Sequence, residues 1–301
     1  AANIGNPDDI NRAVENAADG VGLFRTEFLF LDRATPPTED EQYEAYLAAV
    51  KGFDDPVVIR TLDIGGDKPA SYLETSDEEN PFLGERGVRL YGMFPDLFAS
   101  QARALLRAAV AGDLWVMVPM VATIADLLGV KATMATAADE LRAAGVEIGS
   151  PKVGVMIEVP SAAVTARALA RHADFFSIGT NDLTQYTLAA DRMNGRLADY
   201  SDAAHPAVLG LCKVTADAAL EAGISVAVCG GAAGDPVTAT LFAGMGMDKL
   251  SVAPPLVNRT KAVIDGLDPN SVAAVLEEAL AADSADEVRT LVGRLLGDGL
   301  G

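Results

Sequence analysis

Cysteine and histidine are scarce in this 301-residue chain, which has two of each. Cys212 and Cys229 are too few for a disulfide framework. His172 precedes an expected strand and His205, in "AHPAVLG", reads as a helix start, so neither is a good catalytic candidate. Basic charge is short as well: Lys+Arg 23 against Asp+Glu 43 gives a net charge of −20. That balance argues against nucleic acid and anionic membrane surfaces, which need a basic footprint. An anionic ligand would have to be held by locally clustered arginines, against the global field. No apolar run reaches the ~20 residues of a membrane span, and no signal-peptide pattern opens the chain. No membrane insertion is expected, and the cytoplasm is the default compartment. Internal repeats and low-complexity segments are absent too.

What is present is a regular alternation. Half of the residues are hydrophobic, and the length suits one large α/β barrel or two smaller domains. Short apolar runs at 21–25, 57–62, 114–118, 153–159, 175–178, 225–228 and 250–253 read as strands. Helical patterns at 39–50, 97–111, 124–144, 162–170, 208–222 and 236–243 separate them. The opening "AANIG" reads as the end of an eighth strand, cut short at Ala1, which suggests a chain beginning inside a longer parent. Eight βα units predict a (β/α)8 TIM barrel formed by a single domain over residues 1–301. The last ~35 residues add two closing helices. Three connections, 26–38, 63–96 and 181–204, are long where βα loops usually run about 2–6 residues, and long ones are usually functional.

The strands end on polar groups that a strand buried on both faces has no structural use for. "GVGLFRTE" ends on Arg25 and Glu27, "PVVIRTLDIGGDK" carries Arg60, Asp63 and Lys68, "KVGVMIEVP" ends on Glu158, "FFSIGTNDL" on Asn181 and Asp182, and "SVAVCGG" on Cys229. One barrel mouth would collect them all. Guanidinium groups fork two donors onto phosphate or carboxylate oxygens, which makes Arg25, Arg60, Arg86 and Arg192 candidates for an oxyanion. The competing reading, pairing with some of the 43 acids, weighs most on Arg86. Glu158 and Asp182 suit a Mg²⁺ completed by substrate oxygens and water, or else ion pairs with the arginines. Asn181 and Asp182 also suit the N-terminal cap of the following helix. Cys229 is either a small buried hydrophobe or, with two glycines after it, a thiol open to a ligand. "GGDK" with Lys68 is a weak phosphate-loop signal.

Together "GVGLFRTEFLFLDR", "IRTLDIGGDKP", "NPFLGERGVRL", "GVMIEVPSAA", "FFSIGTNDLTQYTLAADRMN", "HPAVLGL" and "CGGAAGDP" resemble, over nearly the whole chain, one family. It is the C-terminal phosphoenolpyruvate-binding domain of enzyme I of the bacterial sugar phosphotransferase system. The resemblance implies that Arg25, Arg60 and Arg192 hold the phosphoryl group and that Asn181 and Asp182 contact the substrate, with Lys68 and Arg86 in second rank. It implies Glu158 and Asp182 as Mg²⁺ ligands, Cys229 as the acid that protonates the enolate carbon, and a homodimer. The family's phosphoacceptor histidine lies in an N-terminal domain with a Thr-Ser-His segment that this sequence lacks, so the chain is expected to be the phosphoenolpyruvate half only. Through that absent domain it would serve the histidine-containing phosphocarrier protein and sugar transport. One departure stands out: Gly231 replaces the acid of the family's Cys-Gly-Glu. Two rival expectations are a magnesium-dependent pyruvate-enolate lyase or aldolase, and a non-catalytic phosphoenolpyruvate-sensing module.

Overall fold

The structure is a computed structural model that describes residues 1–65 and 70–297. Lys68 lies outside the described residues. Among the described residues eight strands follow one another in sequence order, each parallel to the next. They are β1 (Ala2–Ile4), β2 (Val21–Phe24), β3 (Val57–Arg60), β4 (Leu114–Val118), β5 (Lys152–Ile157), β6 (Phe175–Ile178), β7 (Ser225–Val228) and β8 (Lys249–Leu250). The sheet curls, and one isolated bridge links β1 to the residues just after β8. Asn3 N donates to Val252 O at 2.6 Å and Val252 N to Ala1 O at 3.1 Å, a single parallel bridge.

Alternation along the strands produces two cores. Leu23, Val58, Met117, Met156, Phe175 and Cys229 pack together inside the curl, while their neighbours along the strands, among them Phe24, Ile59, Val116, Ile157 and Val228, join the large cluster that the helices cover. Gly154 keeps the inner space open for the Phe175 ring, which a Cβ at that position would overlap.

The helices are α1 (Asp9–Glu15), α2 (Glu39–Lys51), α3 (Pro95–Ala108), α4 (Ile124–Ala143), α5 (Pro160–Val164), α6 (Ala166–Leu169), α7 (Thr180–Leu188), α8 (Pro206–Ala222), α9 (Pro236–Gly244), α10 (Val257–Asp265), α11 (Pro269–Ala281) and α12 (Ala285–Leu296). Two begin on capping boxes, Thr38 with Glu41 and Thr123 with Asp126. The helix expected over 162–170 is broken at Thr165 into α5 and α6, with Pro160 starting the first. The long connection 181–204 is not plain loop: it opens inside α7 and carries a 3₁₀ stretch at Gly195–Tyr200. The last strand is shorter than expected and shifted, because regular pairing ends at Leu250 although Ser251 N still donates to Val228 O at 2.8 Å. Among the described residues no helix is long and apolar enough to cross a membrane.

Candidate functional site

The polar strand ends sit together at the C-terminal edge of the sheet. There Arg25, Arg60, Asp63, Arg86, Glu158, Asn181, Asp182, Arg192 and Cys229 line one cavity of about 300 Å³, floored by Leu23 and Met156 from the inner core. All the candidates from the sequence converge except Lys68, which lies outside the described residues.

Most of the arginines are already paired. Arg60 is buried, donates from Nη2 to Glu27 Oε1, and pairs through Nη1 with Asp63 Oδ2 at 2.9 Å. Its Nε is buried without a partner. Arg86, 3% exposed, forks both ways: Nε and Nη2 donate to Asp63 at 3.0 Å each, and Nη1 and Nη2 to Asp182 at 3.0 and 3.1 Å. Burial opposes the charge of both guanidiniums, but Glu27 and Asp63 around Arg60, and Asp63 and Asp182 around Arg86, outweigh it and hold both firmly protonated. Arg192 Nη1 reaches Asp182 Oδ1 at 3.1 Å. Arg86 and Arg192 both lie over the Phe82 ring, 5.8 and 5.7 Å from its centroid. Arg25 is exposed, and among the described residues it has no ion-pair partner. It is the guanidinium most ready for a ligand.

The pairing expected of Arg86 with acids is therefore real, but the acids are those of the site. Glu27 and Asp63, to which sequence reasoning gave no role, set the arginines in place. Their signal was there, since both follow apolar strands. Tyr186 was missed as well: its hydroxyl accepts from Arg86 Nη1 at 3.3 Å and donates to Phe82 O.

Glu158, 1% exposed, accepts the Met120 N–H at 2.7 Å through Oε1. Burial first, then Asp182 and Asp63, push its carboxyl up to about 8. A cation in the cavity would relieve that cost. Asp182 Oδ1 accepts from Arg86 Nη1 and is ion-paired with Arg192, and Oδ2 accepts from Arg86 Nη2, so Oδ2 keeps a lone pair. Two carboxylates with space for water and phosphate oxygens fit Mg²⁺. Among the described residues no cluster of three or more His, Cys, Asp or Glu could hold a metal, so water or ligand oxygens would complete the coordination of a cation held by these two.

Asn181 does not cap α7. The N-cap is Gly179 with no side-chain bond, because Asn181 Oδ1 instead accepts the Gly231 N–H at 3.0 Å across to the next connection. Gly231, where the family's acid was expected, thus offers its backbone to Asn181. Gly230 leaves Thr180 room: a Cβ there would run into Thr180 Oγ1 and the Thr180 N unless Thr180 shifted. Cys229 is both a core residue and a cavity residue. Its thiol tops the inner core, approaches Ile178 O at 3.6 Å, and is pushed by burial up to about 11, so it stays protonated at neutral pH.

Residues 1–268 match the family model described as PEP-utilising enzyme, PEP-binding domain. The phosphoenolpyruvate-protein phosphotransferase of Haloferax volcanii is 49% identical over 297 residues, covering 97% of this chain and 53% of that protein. That of Listeria monocytogenes is 46% identical, covering 97% of this chain and 51% of that protein. A multiphosphoryl transfer protein of Xanthomonas campestris is 48% identical, with 96% and 34% covered. The chain spans about half the length, or less, of the curated relatives it matches. A solved Haloferax volcanii malate synthase, in ternary complex with pyruvate and acetyl-CoA, shares the fold at TM-score 0.50 and 16% identity, over 91% of this chain and 70% of that one. The resemblance to enzyme I is borne out at the level of sequence, and the chain belongs to the phosphoenolpyruvate-binding domain family of PEP-utilising enzymes.

Proposed function

We propose that this chain is the phosphoenolpyruvate half of a phosphoenolpyruvate-protein phosphotransferase, acting as one closed (β/α)8 barrel domain. The bridge between Ala2 and Val252 supports closure. The observation that carries the function is the convergence of four arginines, two ligand-grade carboxylates and a protonated thiol on one cavity at the strand ends. Four guanidiniums face four carboxyl groups there, counting Glu27, and because burial raises Glu158 to about 8 the site by itself keeps an excess of positive charge at neutral pH, which suits an anionic ligand in a chain of net negative charge.

In this reading Arg25, Arg60 and Arg192 grip the phosphoryl oxygens, Arg86 holds Asp182 and Asp63 in register, and Asn181 touches the substrate. Mg²⁺ between Glu158 and Asp182 would supply charge neutralisation for the departing phosphoryl group. The C–O side of the substrate leaves as an enolate. Cys229 gives its proton to the enolate carbon, forming pyruvate and a thiolate that solvent reprotonates. A thiol held near 11 is a proton donor that remains loaded at neutral pH.

The phosphoryl acceptor would be a histidine on a separate N-terminal domain, which in turn serves a histidine-containing phosphocarrier protein. Neither histidine here suits that role. His172 precedes β6, at the opposite edge of the sheet, and His205 caps α8 with Nδ1 accepting the Ala207 N–H at 3.1 Å. Homodimerisation is part of the proposal, supported by exposed Leu83, Met193 and Tyr200 on the connections after β3 and β6. A monomer in sedimentation at micromolar concentration would remove that part.

The test is phosphoryl transfer from labelled phosphoenolpyruvate. The chain alone should bind phosphoenolpyruvate with Mg²⁺ and acquire no acid-labile phosphate, and addition of a separate histidine domain from a relative should allow transfer, weakened by lost tethering. Acid-labile phosphate on His172 or His205 of the isolated chain would overturn the assignment.

A further inference from the structure

The family match ends at residue 268, before α11 and α12. One residue of α12 nevertheless reaches back to the mouth. Arg289 Nε donates to Asp202 Oδ2 at 2.6 Å, Nη2 to Asp202 Oδ1 at 2.7 Å, and Nη1 to Asp235 Oδ2 at 2.8 Å. Asp202 stands on the connection after β6, the one carrying Asn181, Asp182 and Arg192, and its Oδ1 also accepts the Ala204 N–H just before α8. Asp235 caps α9 through Val237 N and ends the short connection that carries Cys229, Gly230 and Gly231. Beside the strand-end cavity, which Asn181 lines, the same two connections meet through the Gly231 N–H and Asn181 Oδ1. A cavity of about 420 Å³ lies between these two ties and is lined by residues of both connections.

As a stabiliser this ion-pair set is modest, because the Arg289 side chain is 39% exposed and exposed pairs contribute little. As a geometric device it is strong. A planar fork holds two carboxylates on two different segments at fixed separation, which a lysine ammonium cannot do. We infer that Arg289 is a positioning residue for the chemistry at the mouth, clamping the substrate-binding connection after β6 to the acid-bearing connection after β7. The inference rests on the proposed function, since it concerns the distance between the substrate carbon and Cys229. Releasing the clamp lets the two connections drift, and a drift of about 1 Å from reacting geometry costs up to a hundredfold in rate.

The experiment is exchange of pyruvate methyl protons with solvent deuterium, with Mg²⁺, on the full 301-residue chain. Arg289→Met should lower the exchange rate at saturating pyruvate about tenfold or more while changing half-saturation little. Arg289→Lys should fall between Arg289→Met and wild type. Asp235→Asn should slow exchange alone but add little in the Arg289→Met background, because both break one clamp. Leu141→Ala, a core truncation on α4 remote from the mouth, serves as a destabilised control. Wild-type exchange in Arg289→Met, or equal slowing in Leu141→Ala at matched loss of Tm, overturns the clamp alone. No exchange in the wild-type chain removes the clamp together with the functional reading on which it rests.

Discussion

Replacing Asp63 by asparagine should expose how the site tolerates so much buried charge. Asp63 is 2% exposed and is shared: Arg86 holds both of its oxygens at 3.0 Å and Arg60 holds Oδ2 at 2.9 Å. Asp63→Asn removes the charge and turns an acceptor into a donor facing two guanidiniums that remain in place. Breaking a buried pair by removing one partner costs about 3–5 kcal/mol. In a domain of this size each kcal/mol moves Tm by about 2 °C, so a fall of roughly 6–10 °C is expected. The site also gains a positive charge, so an anionic ligand should restore part of the loss: the rise in Tm with saturating phosphoenolpyruvate and Mg²⁺ should be larger in the variant than in wild type. Thermal unfolding by circular dichroism, with and without ligand, reads both effects. A Tm within about 2 °C of wild type would refute the view that Asp63 is the common counter-ion of Arg60 and Arg86.

Gly230→Ala should destabilise the chain by about 1–3 kcal/mol in denaturant titration and weaken phosphoenolpyruvate binding, because its Cβ displaces Thr180, next to Asn181 and Asp182; an unperturbed titration and affinity would show that the turn has slack. Glu158→Ala should weaken Mg²⁺-dependent phosphoenolpyruvate binding by about an order of magnitude or more, as loss of a metal ligand does; calorimetric curves that stay alike with and without Mg²⁺ would defeat its assignment. The thiol of Cys229 is raised to about 11, so its alkylation by iodoacetamide, mapped by mass spectrometry, should climb about tenfold per pH unit from neutrality upward. A plateau already reached near pH 8 would mean that burial does not hold the proton on sulfur.

Much of the architecture was legible because the strands are apolar on both faces and end abruptly. The strands at 114–118, 175–178 and 225–228 are observed at their expected bounds, and the two closing helices are α11 and α12. Short-range pattern failed where long-range contacts decide. The end of β8 depends on how Ser251 and Val252 meet β7 and β1 across the sheet. Thr165 interrupts a helix that composition alone would continue. At the site, strand-end position picked out Arg25, Arg60, Glu158, Asn181, Asp182 and Cys229, and the long connections picked out Arg86 and Arg192, all of which line one cavity. It did not reveal who pairs with whom. Asp63 lies 23 residues from Arg86 and Asp182 lies 96 from it, and Asn181 bonds Gly231 rather than its own helix. Such partners are set by the curl of the sheet, which no local spacing encodes. Arg289 was invisible for the same reason, being an ordinary basic residue on an amphipathic helix until α12 docks.

The central claim, that a protonated Cys229 thiol serves the substrate carbon in a phosphoenolpyruvate site, is tested most directly by one paired measurement on Cys229→Ala. Phosphoenolpyruvate affinity with Mg²⁺ is taken by calorimetry, and deuterium exchange into the pyruvate methyl group is followed by proton NMR. The account predicts affinity close to wild type and exchange reduced to the solvent background, since the arginines and carboxylates hold the ligand while the thiol alone serves the carbon. Exchange in Cys229→Ala at the wild-type rate would contradict it and leave Cys229 as a packing residue of the inner core.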